Sequence, residues 1–77
     1  MKLLDIILED YKAAEIAEQE NTTEQEAAIN YLSEMSECGE VEVTEEPRPM
    51  YSNFIAETNG LNIYHDYGAG YYFAEVI

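Results

Sequence analysis

Hydrophobic positions follow two different periods along this chain. From Leu3 to Glu37 they recur at helical spacing, and after Gly39 they alternate with polar residues. In LLDIILEDYKAAEIAEQ, residues 3–19, Leu4, Ile7, Leu8, Tyr11 and Ala14 gather on one side at 3.6 residues per turn. Asp5, Glu9 and Lys12 lie opposite, and Ile6, Ala13 and Ala17 add a flanking apolar stripe. The pattern predicts a first helix over 3–19. Glu15 and Glu18 return to the first stripe, so its last turn is expected to project beyond the core.

ENTTEQEA interrupts and restarts the helical pattern. Thr23 followed by Glu26 fits a capping box, with Thr22 and Gln25 as the competing register. A second helix is expected from there to about Glu37, closed by Gly39 as its C′ residue. Ala28, Tyr31, Leu32 and Met35 form its core face, and Glu26, Asn30, Glu34 and Glu37 line the other side. The short connection makes the pair an antiparallel hairpin.

Beyond Gly39, EVEVTE alternates Val41 and Val43 with glutamates, as a half-buried strand does. EPRPM cannot continue a central strand, because Pro47 and Pro49 have no amide to donate; it reads as a linker or an edge. MYSNFIAE, LNIYHDY and YYFAEVI follow, separated by TNG and GAG. Asn59-Gly60 is a strong hairpin signal, since both central residues of a type I′ turn need positive φ. The expected fold is α+β in one domain, residues 1–77. A helical hairpin over 3–38 packs on a three- to four-stranded antiparallel sheet over 40–77. Ile55, Ile63, Phe73 and Val76 are candidates for the sheet face beneath the helices.

Charge changes what such a domain is expected to do. Seventeen acids face three basic residues, Lys2, Lys12 and Arg48, for a net charge of −14. Residues 1–46 hold fourteen acids and two lysines, a net of −12; residues 47–77 hold three acids and Arg48, a net of −2. Seven of the nine aromatics follow Met50. A uniform solubility coat or adaptation to high salt would need no such segregation. Composition still supports a folded chain, at 47% hydrophobic with seven tyrosines and two phenylalanines.

Several chemistries are disfavoured. The lone Cys38 has no disulfide partner, and its distance from His65 along the chain gives no zinc spacing. ECGEVEVTEE, with valines between its acids and a misplaced glycine, is not an EF-hand loop. His65, the one histidine, precedes Asp66 on a strand, where neighbours point to opposite faces. No serine or cysteine carries a nucleophile signature, so no enzyme, cofactor or metal site is expected. Direct nucleic-acid binding needs lysines and arginines that this chain lacks. The apolar start is broken at Asp5 and no run nears a membrane span, so the cytoplasm is the expected compartment.

A partner with a cationic groove is the remaining fit. Glu26, Glu34 and Glu37 on the second helix, then Glu40, Glu42, Glu45 and Glu46, are expected to form one row of carboxylates. Asp5 and Glu9 would supply a second row. Helical turns and strand alternation place such groups roughly 5 to 7 Å apart, near the spacing of phosphates on one strand. The commonplace reading is a solvated acidic face. Against it, ordinary surfaces intermix both signs, and the second helix has no basic residue. Tyr64, Tyr67, Tyr71 and Tyr72 crowd the last hairpin and offer a second contact chemistry, Tyr64, Tyr71 and Tyr72 above all, since tyrosine is favoured at interface hot spots. Their alternative is half-buried packing on the sheet.

In size, acidic balance, low basic content and helix–sheet make-up, the chain is similar to the small acidic anti-defence proteins of bacteriophages. These include anti-CRISPR proteins, anti-restriction proteins and uracil-DNA glycosylase inhibitors. ECGEVEVTEE is the densest part of that likeness, which covers the whole chain in character and carries over no individual residue. The resemblance implies a non-enzymatic inhibitor, in a bacterial host cell, of a CRISPR-Cas effector or a restriction nuclease. The alternative expectation is an acidic antitoxin or regulatory subunit that grips a basic protein through its aromatic hairpin.

Overall fold

The computed structural model describes all 77 residues. Strand β1 spans Lys2–Leu4 and β2 spans Leu8–Glu9, followed by helices α1 (Asp10–Glu20) and α2 (Glu24–Glu37). Strands β3 (Val43–Glu45), β4 (Ser52–Thr58), β5 (Leu61–Asp66) and β6 (Tyr71–Val76) complete the chain. The antiparallel sheet runs β3-β1-β6-β5-β4, with β2 also on β6. The α+β class is as expected; the sheet is wider than expected, because six strands take part rather than three or four.

The two additional strands come from residues expected to be helical. The first helix starts at Asp10, not at Leu3. In LLDIIL nearly every residue is apolar, so either period can be fitted to it. Pairing decides: β6 needs a second neighbour, and β1 and β2 supply it at Leu3↔Glu75 and Leu8↔Tyr72. Extended backbone also sends Leu4 and Leu8 to the helix-covered face while Leu3 joins Tyr64 and Phe73 on the other. The buried side of α1 is consequently the flanking stripe, Ala13 and Ala17, and Tyr11 and Ala14 are exposed. These small residues let α1 approach α2, whose Ala27 and Ala28 are likewise fully buried.

Local signals around α2 hold. The Thr23 hydroxyl accepts from the Glu26 amide at 3.1 Å, and Gly39 follows the last turn with φ +72°. One half of the capping box differs: the Glu26 carboxylate takes the Thr22 hydroxyl instead of reaching back to the cap amide. Asn59 and Gly60 both have positive φ, as a type I′ hairpin requires. At the other turn Asp66 turns back on its own chain, and its Oδ1 accepts from the amides of Gly68 and Ala69 at 3.0 and 2.9 Å.

One core lies between helices and sheet. Leu4, Leu8, Leu32, Leu61, Ile63, Tyr72 and Ala74 form it, with Ile55, Val76 and Val41 packed against it. Phe73 is the exception among the expected core positions, because its register opposite Tyr64 turns it to the face without helices. Val43 is half-exposed on its edge strand. No helix is long and apolar enough to cross a membrane.

The helix-free face is nevertheless covered. β3 and β4 stand at opposite edges of the sheet, about four strand spacings or ~19 Å apart. Joining Glu45 to Ser52 takes seven residue steps, about 22 Å at the rise of a polyproline helix. EPRPMY therefore crosses with little slack, its first part favoured as extended chain by Pro47 and Pro49, and turns at Met50–Tyr51 into β4. Arg48 lies over the Tyr64 ring at 4.6 Å from its centroid, and Tyr64, Phe73 and Leu3 are buried underneath. The segment read as a linker or an edge is a strap.

Candidate protein-binding surfaces

The acidic surface is built by three adjoining elements. On α2, Glu26 and Glu37 are eleven residues apart, which returns them to within roughly 20° of each other around the axis. Glu34 falls on the same exposed face, and the helix is about 21 Å long. Past Gly39 the chain rises through exposed Glu40 and Glu42 into β3. Here the Glu42 carbonyl accepts from the Asp5 amide at 2.7 Å, which sets Asp5 beside this run. Asp5 thus lies next to Glu42 and apart from Glu9, because it sits on the bend between β1 and β2 and not on a helix.

Strand geometry divides the end of the row. Glu45 pairs with Lys2, and the N-terminal ammonium stands 3.6 Å from its carboxylate. Glu46 continues the ladder through its amide to the Met1 carbonyl at 2.9 Å. Successive residues point to opposite faces, so Glu45 projects on the helix side and Glu46 on the strap side. The charge of Glu46 reaches the Tyr71 hydroxyl there. Glu9 caps α1 with no side-chain bond, pairs with Tyr71 on β6, and stands apart from the Glu40–Glu42 run.

Fourteen of the seventeen acidic side chains are exposed, and only Asp10, Asp66 and Glu75 are partly or fully buried. Met1–Glu45 is an ion pair, and His65 meets Asp10 at hydrogen-bond distance. Lys2, Lys12 and Arg48 pair with no carboxylate, so the negative surface is almost uncompensated. Glu37 has one uncharged partner, the Asn59 side-chain amide at 2.9 Å.

Tyr64, Tyr71 and Tyr72, expected with Tyr67 to form a contact surface, are separated by the sheet. Tyr72 faces the helices, buried, its ring stacked on His65 with centroids 4.4 Å apart. Tyr64 and Tyr71 lie on the strap face, where Tyr64 stacks on Phe73 at 5.2 Å and donates to Glu75 at 3.0 Å. Burial raises the pKa of all three above the usual 10.0. A hydrogen bond to Glu75 adds to this at Tyr64, the Asp66 charge adds at Tyr71, and the Glu24 and Asp10 charges add at Tyr72. Of these three only Tyr71 is partly accessible.

Tyr67, on the same hairpin, is exposed, as are Tyr51 and Phe54 outside it. Tyr51 and Tyr67 pack together at 5.9 Å, and Phe54 meets the edge of Tyr64 at 5.8 Å while remaining 55% exposed. Alternation within SNFIAET would have placed Phe54 out of phase with Ile55, but it could not reveal that β4 lies at the sheet edge.

His65 Nε2 and Asp10 Oδ1 are 2.9 Å apart, joining β5 to the first residue of α1. No pocket opens beside the pair. No group of three or more His, Cys, Asp or Glu side chains is placed to hold a metal ion. Cys38, at the end of α2, is free and exposed. Compared with protein families, curated proteins and solved structures, the chain matches none.

Proposed function

We propose that this protein is a non-enzymatic inhibitor that fills the positively charged nucleic-acid groove of a bacterial defence enzyme, a CRISPR-Cas effector or a restriction nuclease. What supports this reading is the exposure of Glu34, Glu37, Glu40, Glu42 and Asp5, with no lysine or arginine paired to any of them. A cationic groove gains by meeting such a surface, because its own ammonium and guanidinium groups release counterions as they do on a phosphate backbone. Encounter is electrostatically steered and falls with ionic strength. Glu45 and Glu46 flank the run on opposite sides of β3 and widen the contact.

The test is inhibition of DNA cleavage by a panel of Cas effectors and restriction nucleases, with duplex DNA as competitor. The reading expects inhibition that weakens steeply with salt and is lost when Glu40, Glu42, Glu45 and Glu46 are all glutamine. Inhibition indifferent to both salt and the four glutamines would refute groove filling.

A second reading draws on the exposed rings of Tyr51, Phe54 and Tyr67, which lie on the weakly charged part of the chain after Glu46. In it the protein is an acidic antitoxin or regulatory subunit that grips a basic partner through these aromatics. Alanine at Tyr51 and Tyr67, both exposed, would then abolish binding while the glutamine variant keeps it.

A further inference from the structure

We propose that Asn59 is a self-modification site: the backbone nitrogen of Gly60 closes on its side chain, turns the amide into a carboxylate, and so releases the β4–β5 turn from α2. Asn59 is exposed, and it is the only one of five asparagines followed by glycine. Thr22, Tyr31, Phe54 and Ile63 follow the other four, and each sets a Cβ beside the nitrogen that would attack. Gly60 has none. Its amide donates to no other group, and no residue beyond its chain neighbours comes within 4 Å of where a Cβ would stand. The nucleophile is unencumbered and the site is open to water.

The reaction consumes only water. The Gly60 nitrogen bonds to Asn59 Cγ and closes a cyclic imide. The Cγ–Nδ2 bond breaks, and Nδ2 leaves as ammonia with the proton of the Gly60 amide. Water then opens the ring at one of its two carbonyls. Opening at Cγ leaves aspartate; opening at the backbone carbonyl leaves isoaspartate, with Cβ inserted in the main chain.

Tertiary contacts give this conversion its consequence. The Asn59 side-chain amide donates to the Ser33 hydroxyl and to Glu37 Oε1, the latter at 2.9 Å. This clasp holds the side chain toward α2, so ring closure waits on its opening. An amide nitrogen donates, whereas a carboxylate only accepts. After conversion a second carboxylate meets Glu37, and the clasp cannot re-form. Isoaspartate disturbs the main chain as well, because a two-residue turn with both residues at positive φ has no place for another backbone atom. The Gly60 carbonyl, which holds the Ile77 amide at 3.0 Å, is displaced with it. The change runs one way, from a hairpin fastened to α2 to one set free. Neither step involves a partner, so this proposal and groove filling stand or fall separately.

Asn21 supplies a control within the chain, since it is exposed, stands at φ +54° and is followed by Thr22. The full chain is incubated in warm neutral buffer until a free peptide of residues 57–62 has largely converted, and peptide mapping then reads aspartate and isoaspartate at each asparagine. Asn59 is expected to convert roughly tenfold faster than Asn21, whose follower is β-branched. Ser33→Ala removes one hold on the amide and should speed conversion of Asn59 several-fold. Asn59→Asp stands for the product and should unfold at lower urea than the unmodified chain. Adding Glu37→Gln returns a donor to the pair and should recover most of that loss. Glu34→Gln, the same charge change elsewhere on α2, should not. An intact Asn59 after the peptide has converted overturns the proposal. So does an Asn59→Asp chain as stable as the unmodified one, or a loss that both glutamine changes relieve equally.

Discussion

The guanidinium of Arg48 lies over the Tyr64 ring and at the same time binds Ser52, its Nε donating to the hydroxyl at 2.9 Å and its Nη2 to the carbonyl at 3.1 Å. One side chain so ties the strap to the centre of the sheet and to the start of β4. Arg48 is also the only basic residue after Lys12, and it is spent on structure and not on a partner carboxylate.

Removing it should loosen the strap. Arg48→Ala gives up an exposed cation–π contact and hydrogen bonds from a charged donor, together about 1 to 2 kcal/mol. Urea unfolding should show that loss, and Arg48→Lys should recover only part of it because an ammonium cannot reproduce the planar fork. A midpoint unchanged in the alanine variant would mean that the prolines alone hold the strap.

Alkaline titration reports on the buried tyrosines. The folded pKa values of Tyr64, Tyr71 and Tyr72 are raised above 10.0, so the unfolded chain releases these protons first. Their contribution to stability is complete below pH 10 and is lost as pH rises through the higher folded values. Absorbance of tyrosinate should show part of the set ionising later than free tyrosine, together with loss of far-ultraviolet structure. Early ionisation of every tyrosine in a chain that remains folded would contradict the burial described above.

Asn59 links the β4–β5 turn to the second helix. Its backbone is left-handed at φ +50°, and its side-chain amide donates to the Ser33 hydroxyl and to Glu37. Asn59→Ala should cost about 1 to 2 kcal/mol through the strained turn and the lost bonds. Asn59→Gly should lose less, since glycine keeps the turn conformation, and comparing the two denaturation midpoints separates the backbone share from the side-chain share.

Uncompensated charge should make the fold salt-stabilised. With fourteen exposed acids and no lysine or arginine paired to them, moderate sodium chloride relieves repulsion within the native state. The thermal midpoint is expected to rise by several degrees between low and moderate salt, and less in the variant with glutamine at Glu40, Glu42, Glu45 and Glu46. A midpoint that falls over this range would show that the carboxylates do not crowd one another.

What could be read locally was read correctly where a residue type has one geometric use. Thr23 followed by a glutamate-rich first turn, Gly39 after the last turn of α2, and Asn59-Gly60 between two alternating runs each specify a conformation within a few residues. The acidic face of α2 belongs with these, because helical period alone places Glu26, Glu34 and Glu37 together. Leu3–Leu8 is the contrary case. Its apolar run satisfies a helix and a strand equally, and the choice came from Glu75 and Tyr72 at the far end of the chain, whose strand had an open side.

Tertiary structure likewise decided the surfaces. Pro47 and Pro49 announced a segment outside the sheet, but only the placement of β3 and β4 at opposite edges made it a strap over Tyr64 and Phe73. Asp5 met Glu42, and Glu45 parted from Glu46, because pairing with β1 fixed which way each residue faced. Composition by itself determined that the surface would be anionic and the second half aromatic. Which carboxylates stand together, and which rings reach solvent, depended on strand register and sheet order, and those are set by contacts between residues distant in the chain.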